Sequence, residues 1–244
     1  MPAALQTGLT VWHMAEDFTT GAGWSNRGSA PAAALVGTPL VSPTKDTVAL
    51  NARAVVRFTS GAGRIRGTNM CTDGSVPLTV MYVGRMWGAN TGRIFSCVYS
   101  VPPSYNVLFG THSAGNPVLY DNGWAGTQPA WGTFPSPWKI YTAVCATGPT
   151  SQLYADGVFV SSTATSIGHD SRYCLSGQDI TLTTETCDCD VAEVLCWNRT
   201  LTTQELLDAG KYLRDKWLPS LTIPTQIVTE YFTSSGTWTK PAGA

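Results

Sequence analysis

The chain has 244 residues, 43% of them hydrophobic and only 13% charged, so it can bury a sizeable core beneath a thinly charged surface. A net charge of −1 with no Lys/Arg cluster excludes the electrostatic footprint of a nucleic-acid binder. No apolar run approaches membrane-spanning length and no charged-then-apolar leader opens the chain, so no membrane insertion is expected and synthesis is expected in the cytosol.

Many Gly, Pro, Thr and Ser residues favour strands and turns over helices. After a short lead-in, Leu9–Met14 alternates and reads as the first strand. Leu78–Arg85 is a β-branched run suited to a central strand, and Gly92–Ser96 is expected to pair with it. Lys139–Ala146 gives another strand. Residues Gln152–Val160 form a hairpin around Asp156-Gly157, a dipeptide that supplies the positive φ angles of a tight turn.

The most ordered stretch runs from Asp188 to Pro219. Val191–Trp197 is apolar at almost every position, as a strand covered on both faces would be. Thr202-Thr203-Gln204-Glu205 spells a capping box, so a helix starts there. Leu206, Ala209, Leu213 and Trp217 form its apolar stripe, and Pro219 stops it.

These residues resemble the bacterial and phage branch of the laminin-G-like, concanavalin A-like lectin sandwiches. That family's last core strand reads "IAEVIVYNR" and runs into "LS-x-x-E" and a short helix; here Val191–Arg199 and Leu201–Glu205 stand in those places. Leu9–Ala15, Trp24–Gly28, Ala49–Phe58 and Gln152–Val160 are similar to further landmarks, in the family's order. Ala52 stands where the family favours a turn glycine. The resemblance implies an all-β antiparallel sandwich of jelly-roll type over residues 1–219 with one short C-terminal amphipathic helix. Residues 220–225 read as a linker. Residues 226–244, above all Thr229–Ala244, are similar to the "F-T-x-S-G-T-W-T-K-P-A-G-A" opening of Gly-rich β domains in phage tail fibres and minor tail proteins, and are expected to begin such a domain without completing it.

The chemistry-bearing residues are sparse. Asp188-x-Asp190-x-x-Glu193 resembles the E-x-D-x-x-E strand of sandwich glycosidases, in which two glutamates share a face. The shorter Asp188 would misplace the nucleophile. Strict alternation sets Asp190 with Ala192 and Val194, and Glu193 with Val191, Leu195 and Trp197, so only a bulge would bring Asp188 and Glu193 together. A structural, hydrogen-bonded Glu193 is the expected reading. His13, His112 and His169 are scattered, and no nucleophile elbow is present.

Of seven cysteines, only Cys187-x-Cys189 forms a close pair. Without a second ligand pair at metal-site spacing, buried thiols are expected there rather than zinc, and a bridge from Cys174 to either stays open. Calcium is common in laminin-G-like relatives, and Asp121, Asp156, Asp170, Asp188 and Asp190 are the carboxylates it would draw on, but they form no ordered ligand run, so no cofactor is expected.

Trp87, Tyr120, Asp121, Asn122, Trp124, Trp131 and Trp138 lie in a Gly/Pro-rich middle section. Exposed aromatics beside Asp and Asn suit sugars, which stack an apolar face and hydrogen-bond through hydroxyls. The plainer reading is that they pin long loops or bury against a neighbouring chain. Together these features lead to the expectation of a non-enzymatic minor tail or fibre protein of a bacteriophage virion, trimeric, in contact with other tail proteins and facing a host-surface glycan or receptor. A carbohydrate-binding module of a secreted bacterial protein is the alternative.

Overall fold

The computed structural model describes residues 1–36, 43–61, 64–74, 77–99, 105–112, 116–121, 123–127, 134–146, 150–163, 168–177 and 185–221. In chain order the strands are β1 (Leu9–Met14), β2 (Phe18–Thr19), β3 (Gly23–Trp24), β4 (Ala33–Val36), β5 (Thr44–Leu50) and β6 (Arg53–Phe58). Then come β7 (Arg64–Gly67), β8 (Leu78–Met86), β9 (Arg93–Tyr99), β10 (Tyr105–His112), β11 (Asn116–Asp121) and β12 (Trp124–Thr127). The last are β13 (Lys139–Cys145), β14 (Ser151–Ala155), β15 (Val158–Thr163), β16 (Tyr173–Leu175) and β17 (Cys189–Trp197), followed by helix α1 (Thr203–Trp217).

Two antiparallel sheets face each other. One has the order β15-β14-β13-β8-β17-β6-β5, with β1 also paired to β17; the other runs β12-β11-β10-β9-β16-β7-β4-β3-β2. Their inner faces share a core in which Phe58, Ile65, Tyr82, Phe95, Phe109, Tyr141 and Tyr173 are essentially inaccessible. The expected pairing of Gly92–Ser96 with Leu78–Arg85 is not made. β8 lies between β13 and β17, whereas β9 belongs to the opposite sheet, between β10 and β16. The chain crosses between sheets at residues 87–92, so neighbours in sequence are not neighbours in a sheet.

β17 is covered on both faces, as its apolar run requires. Val191, Val194 and Cys196 enter the core between the sheets; Ala192, Leu195 and Trp197 enter a second core beneath α1. The strand also changes partner: one edge pairs with β6 through Val191 and with β1 from Glu193 onward. The register against β8 slips at the same point, a bulge at Ala192. The bulge corrects the alternation expected from the sequence. Asp190, Ala192 and Glu193 all lie on the outer face, while Val191 and Val194 turn inward.

Helix α1 closes part of that outer face. Thr202 Oγ1 accepts from the Glu205 amide at 3.3 Å, and Glu205 Oε2 accepts from the Thr202 amide at 2.8 Å, the reciprocal capping box. Arg199 brackets Glu205 at 2.6 and 2.9 Å and, with the Thr202 amide, holds its carboxyl down to about 2. Ala209, Leu213 and Trp217 are fully buried and Leu206 partly so. Burial of Leu213 alone contributes about 2 kcal/mol.

The two-residue turns follow their backbone demands. Asp156-Gly157 takes φ 53° and 77° between β14 and β15. Asn51-Ala52 takes φ 48° and 57° between β5 and β6, so Ala52 adopts the left-handed conformation that a glycine would hold without strain. Elsewhere His13 ties the sheets together. Its Nδ1 donates to the Ser25 carbonyl at 2.9 Å, so Nε2 accepts from the Tyr173 hydroxyl at 2.5 Å, and burial pulls the imidazole down to about 4. No disulfide links the seven cysteines, and all are buried, including Cys174, Cys187 and Cys189. Residues 222–244, which hold most of the expected linker and the whole fibre-like segment, lie outside the described residues.

Candidate functional site

The outer face of the eight-stranded sheet divides in two. Beneath α1 it is largely apolar around the buried Glu193; beyond the helix, three adjacent strands present charged residues in register. Asp190 on β17 stands opposite Arg57 on β6 and Arg85 on β8. Arg57 grips the carboxylate through Nε and a terminal nitrogen at 2.7 and 2.9 Å, and Arg85 reaches it through Nε at 2.9 Å. Asp190 is inaccessible, whereas the side chains of Arg57 and Arg85 keep 34% and 20% of their surface, which makes the arginines the readable part. The Asp190 hydrogen bonds also raise the Arg57 guanidinium above its usual range, so it is permanently charged.

Two tryptophans frame this ladder. Arg57 lies over the Trp87 ring at 4.9 Å, and Arg85 over Trp138 at 4.8 Å. Trp87 follows β8 and is fixed by its indole N–H on the Phe58 carbonyl at 2.8 Å. Trp138 immediately precedes β13 and packs against the margin of the helix-side core. Both rings are half-buried, with their positions set by the flanking strands. Two guanidinium groups share one buried carboxylate, with the Asp46 charge also acting on Arg57, and each lies against a tryptophan ring. That combination can stack a sugar ring and hold an anionic substituent.

The aromatic set expected from the sequence is thereby split. Trp87 and Trp138 come together through Arg57, Asp190 and Arg85. Tyr120 and Trp124 pair elsewhere, edge to face at 4.9 Å, on the far edge of the nine-stranded sheet. Asp121 is corrected outright as a surface ligand. It is fully buried and accepts from Ser151 Oγ at 2.5 Å, because a strand of period two turns residue 121 inward when Tyr120 faces out. Asn122 and Trp131 lie outside the described residues. The two arginines were missed. Their signal was a charged residue inside an otherwise apolar strand, at Arg57 after Val55-Val56 and at Arg85 after Val83-Gly84.

The remaining carboxylates are held by protein donors. Asp188 accepts from the Ser60 amide at 2.8 Å and from Asn90 Nδ2 at 2.6 Å. Asp156 accepts from the Ile140 amide, and Asp170 is gripped by Arg172. Glu193 is completely buried beneath the helix and accepts four hydrogen bonds. Trp12 Nε1 at 2.7 Å and Tyr212 Oη at 2.9 Å reach one oxygen; Lys216 Nζ at 2.7 Å and Trp217 Nε1 at 2.6 Å reach the other. Burial and the adjacent Glu193 charge push the Tyr212 phenol up, so it stays a donor. Glu193 is a brace between sheet and helix, with no lone pair turned toward a substrate cleft. Cys187 and Cys189 sit in the inter-sheet core, where burial raises the Cys189 thiol.

No family model matches the chain, and no curated protein matches it significantly. Solved structures do. Domain 4 of AbnA, a GH43 extracellular arabinanase from Geobacillus stearothermophilus solved in complex with arabinotriose, superposes with a TM-score of 0.62 at 13% identity, covering 83% of this chain and 98% of that one. Trypanosoma rangeli sialidase in complex with sialic acid gives 0.58 at 13% identity over 88% of this chain and 34% of that one. The ligand-binding domain of botulinum neurotoxin serotype D in complex with N-acetylneuraminic acid gives 0.57 at 9% identity, over 86% and 52%. This chain thus spans nearly all of the arabinanase domain but only a third of the sialidase chain and half of the toxin domain. At these identities the likeness shows the fold alone: a two-sheet antiparallel β-sandwich of the lectin-like kind.

Proposed function

We propose that this chain is a non-catalytic, glycan-recognising sandwich displayed on a bacteriophage tail, as a minor tail or fibre protein. The observation that carries the glycan reading is the half of the outer face beyond α1, where Trp87 and Trp138 frame the Arg57–Asp190–Arg85 ladder. Indole faces stack the apolar side of a sugar, and partly exposed guanidinium groups donate to hydroxyl or carboxylate oxygens. The exposed groups are guanidinium donors whose carboxylate partner Asp190 is buried, which favours an acidic sugar over a neutral one. An arabinanase domain with this fold was solved in complex with arabinotriose, and a sialidase and a toxin binding domain that each contain the fold were solved with sialic acid or N-acetylneuraminic acid, which agrees with the reading. The tail assignment is supported by the sequence resemblance of the sandwich and of Thr229–Ala244.

A glycan array of acidic and neutral oligosaccharides tests the first part. We expect an acidic glycan to bind and Trp138→Ala or Trp87→Ala to weaken it about tenfold or more, the effect of removing a buried aromatic anchor. An array with no binder, or unchanged affinity in both variants, sinks the glycan reading. Light scattering on the full chain tests the fibre part: a trimer supports it, whereas a monomer favours a carbohydrate-binding module of a secreted bacterial protein. That alternative draws on the near-complete overlap with one domain of an extracellular arabinanase.

A further inference from the structure

At the edge where β11 of one sheet approaches β13 and β14 of the other, four polar side chains converge between the sheets. Asp121 ends β11, Cys145 ends β13, Ser151 opens β14 opposite Cys145, and His169 lies in the segment leading to β16. Their exposures are 0%, 1%, 0% and 0%. Ligand atoms of Asp121, Cys145 and His169 all lie within 4.8 Å of one another. His169 Nε2 stands 3.5 Å from Asp121 Oδ1, while Ser151 Oγ donates to the other carboxylate oxygen at 2.5 Å.

We propose that Asp121, Cys145 and His169 form a structural zinc site that pins the two sheets together at this edge. The donor types fit. Thiolate, imidazole and carboxylate are the zinc ligand set, whereas calcium would demand six or more oxygens. The geometry fits as well. Bonds of about 2.0–2.3 Å in a tetrahedron place neighbouring ligand atoms about 3.3–3.7 Å apart, so the 3.5 Å pair already spans one edge and no pair has to close by more than about 1 Å. Charge balances too. Binding Zn²⁺ displaces one proton from the Cys145 thiol, and the thiolate and the Asp121 carboxylate then neutralise the ion beside a neutral His169. Ser151 orients the carboxylate from the second shell, and a water completes four-coordination.

The ligands are held before the ion arrives. The His169 carbonyl accepts from the Gly74 amide at 2.9 Å, and the Asp170 amide donates to Cys97 Sγ at 3.3 Å, so the backbone on both sides of the imidazole is anchored. This set has no sequence signature, because its three ligands come from three separate segments. The close pair Cys187-x-Cys189, where spacing directed attention, lies apart from it.

The test uses the full chain, expressed with added zinc and purified without metal-affinity resin. Plasma mass spectrometry is expected to find about one zinc per chain. Cobalt exchanged into the site is expected to show a thiolate-to-cobalt charge-transfer band and four-coordinate visible bands. Cys145→Ser abolishes the charge-transfer band, Cys187→Ser leaves it unchanged, and Ser151→Ala weakens zinc binding about 10–100-fold. Zinc, but not calcium, restores the melting temperature of chelator-stripped protein. Zinc at background in the wild-type chain, or a cobalt spectrum without a sulfur band, overturns the proposal, and both are read on the wild type even where a variant fails to fold. A sulfur band that survives Cys145→Ser overturns it as well.

Discussion

Strand β17 carries two buried carboxylates on the same outer face, Asp190 and Glu193, and the sheet treats them differently. Glu193 lies under α1 and is satisfied by Trp12, Tyr212, Lys216 and Trp217, none of them more than partly exposed. Asp190 lies beyond the helix and is satisfied by two arginines that remain partly open to solvent beneath tryptophan rings. Burial of the acid is common to both. What differs is whether its donors end inside the protein or at its surface, and only the second arrangement leaves polar groups for a ligand to meet.

That contrast can be broken by mutation. The largest effect is expected from Glu193→Gln, which leaves Lys216 and two indole N–H groups competing for one carbonyl oxygen in a site closed to water. A loss of about 3–5 kcal/mol is expected, the range for breaking a buried ion pair. Urea denaturation measures it; a loss under half of that would mean water reaches beneath α1.

Asp190→Asn is expected to do less, about 1–3 kcal/mol, because Arg57 and Arg85 can rehydrate once released. Equal losses for the two variants in the same denaturation experiment would erase the distinction between covered and open halves. Weakened binding of an acidic glycan by Asp190→Asn, beyond what its stability explains, would sharpen it, since the carboxylate sets the pose of both guanidinium groups.

The smallest effect lies at the rim of the covered half. The β5–β6 turn touches the helix end through Asn51 Nδ2, which donates to the Lys216 carbonyl at 3.1 Å, and Ala52 beside it sits at φ 57°. Ala52→Gly removes a left-handed strain of about 1 kcal/mol and is expected to raise the melting temperature by a few degrees. Calorimetry decides it. A lowered melting temperature would show that the added chain freedom outweighs the strain.

Local pattern was enough for β17, for the capping box of α1 with its stripe of Ala209, Leu213 and Trp217, and for the Asp156-Gly157 turn. Each depends on residues within a few positions of one another, where backbone sterics and side-chain period decide the outcome. Even the inward turn of Asp121 was available from the same period, since Leu119 and Asp121 must share a face if Tyr120 is outside. The aromatic grouping by sequence proximity ignored that rule.

Other features depended on partners far away in the chain. Ala192 bulges where β17 passes from β6 to β1, and β9 lies apart from β8 where the chain crosses to the other sheet. Arg57, Arg85 and Asp190 meet only once three strands from distant segments are set side by side, and Asp121, Cys145 and His169 meet only where two sheets close on each other. The sequence by itself therefore determined the strongly patterned elements, β1, β8, β17, α1 and the Asp156-Gly157 hairpin, through short-range sterics and hydrophobic period. Tertiary structure decided which polar residues became neighbours, because strand order and sheet packing are set by long-range pairings that local patterns do not encode.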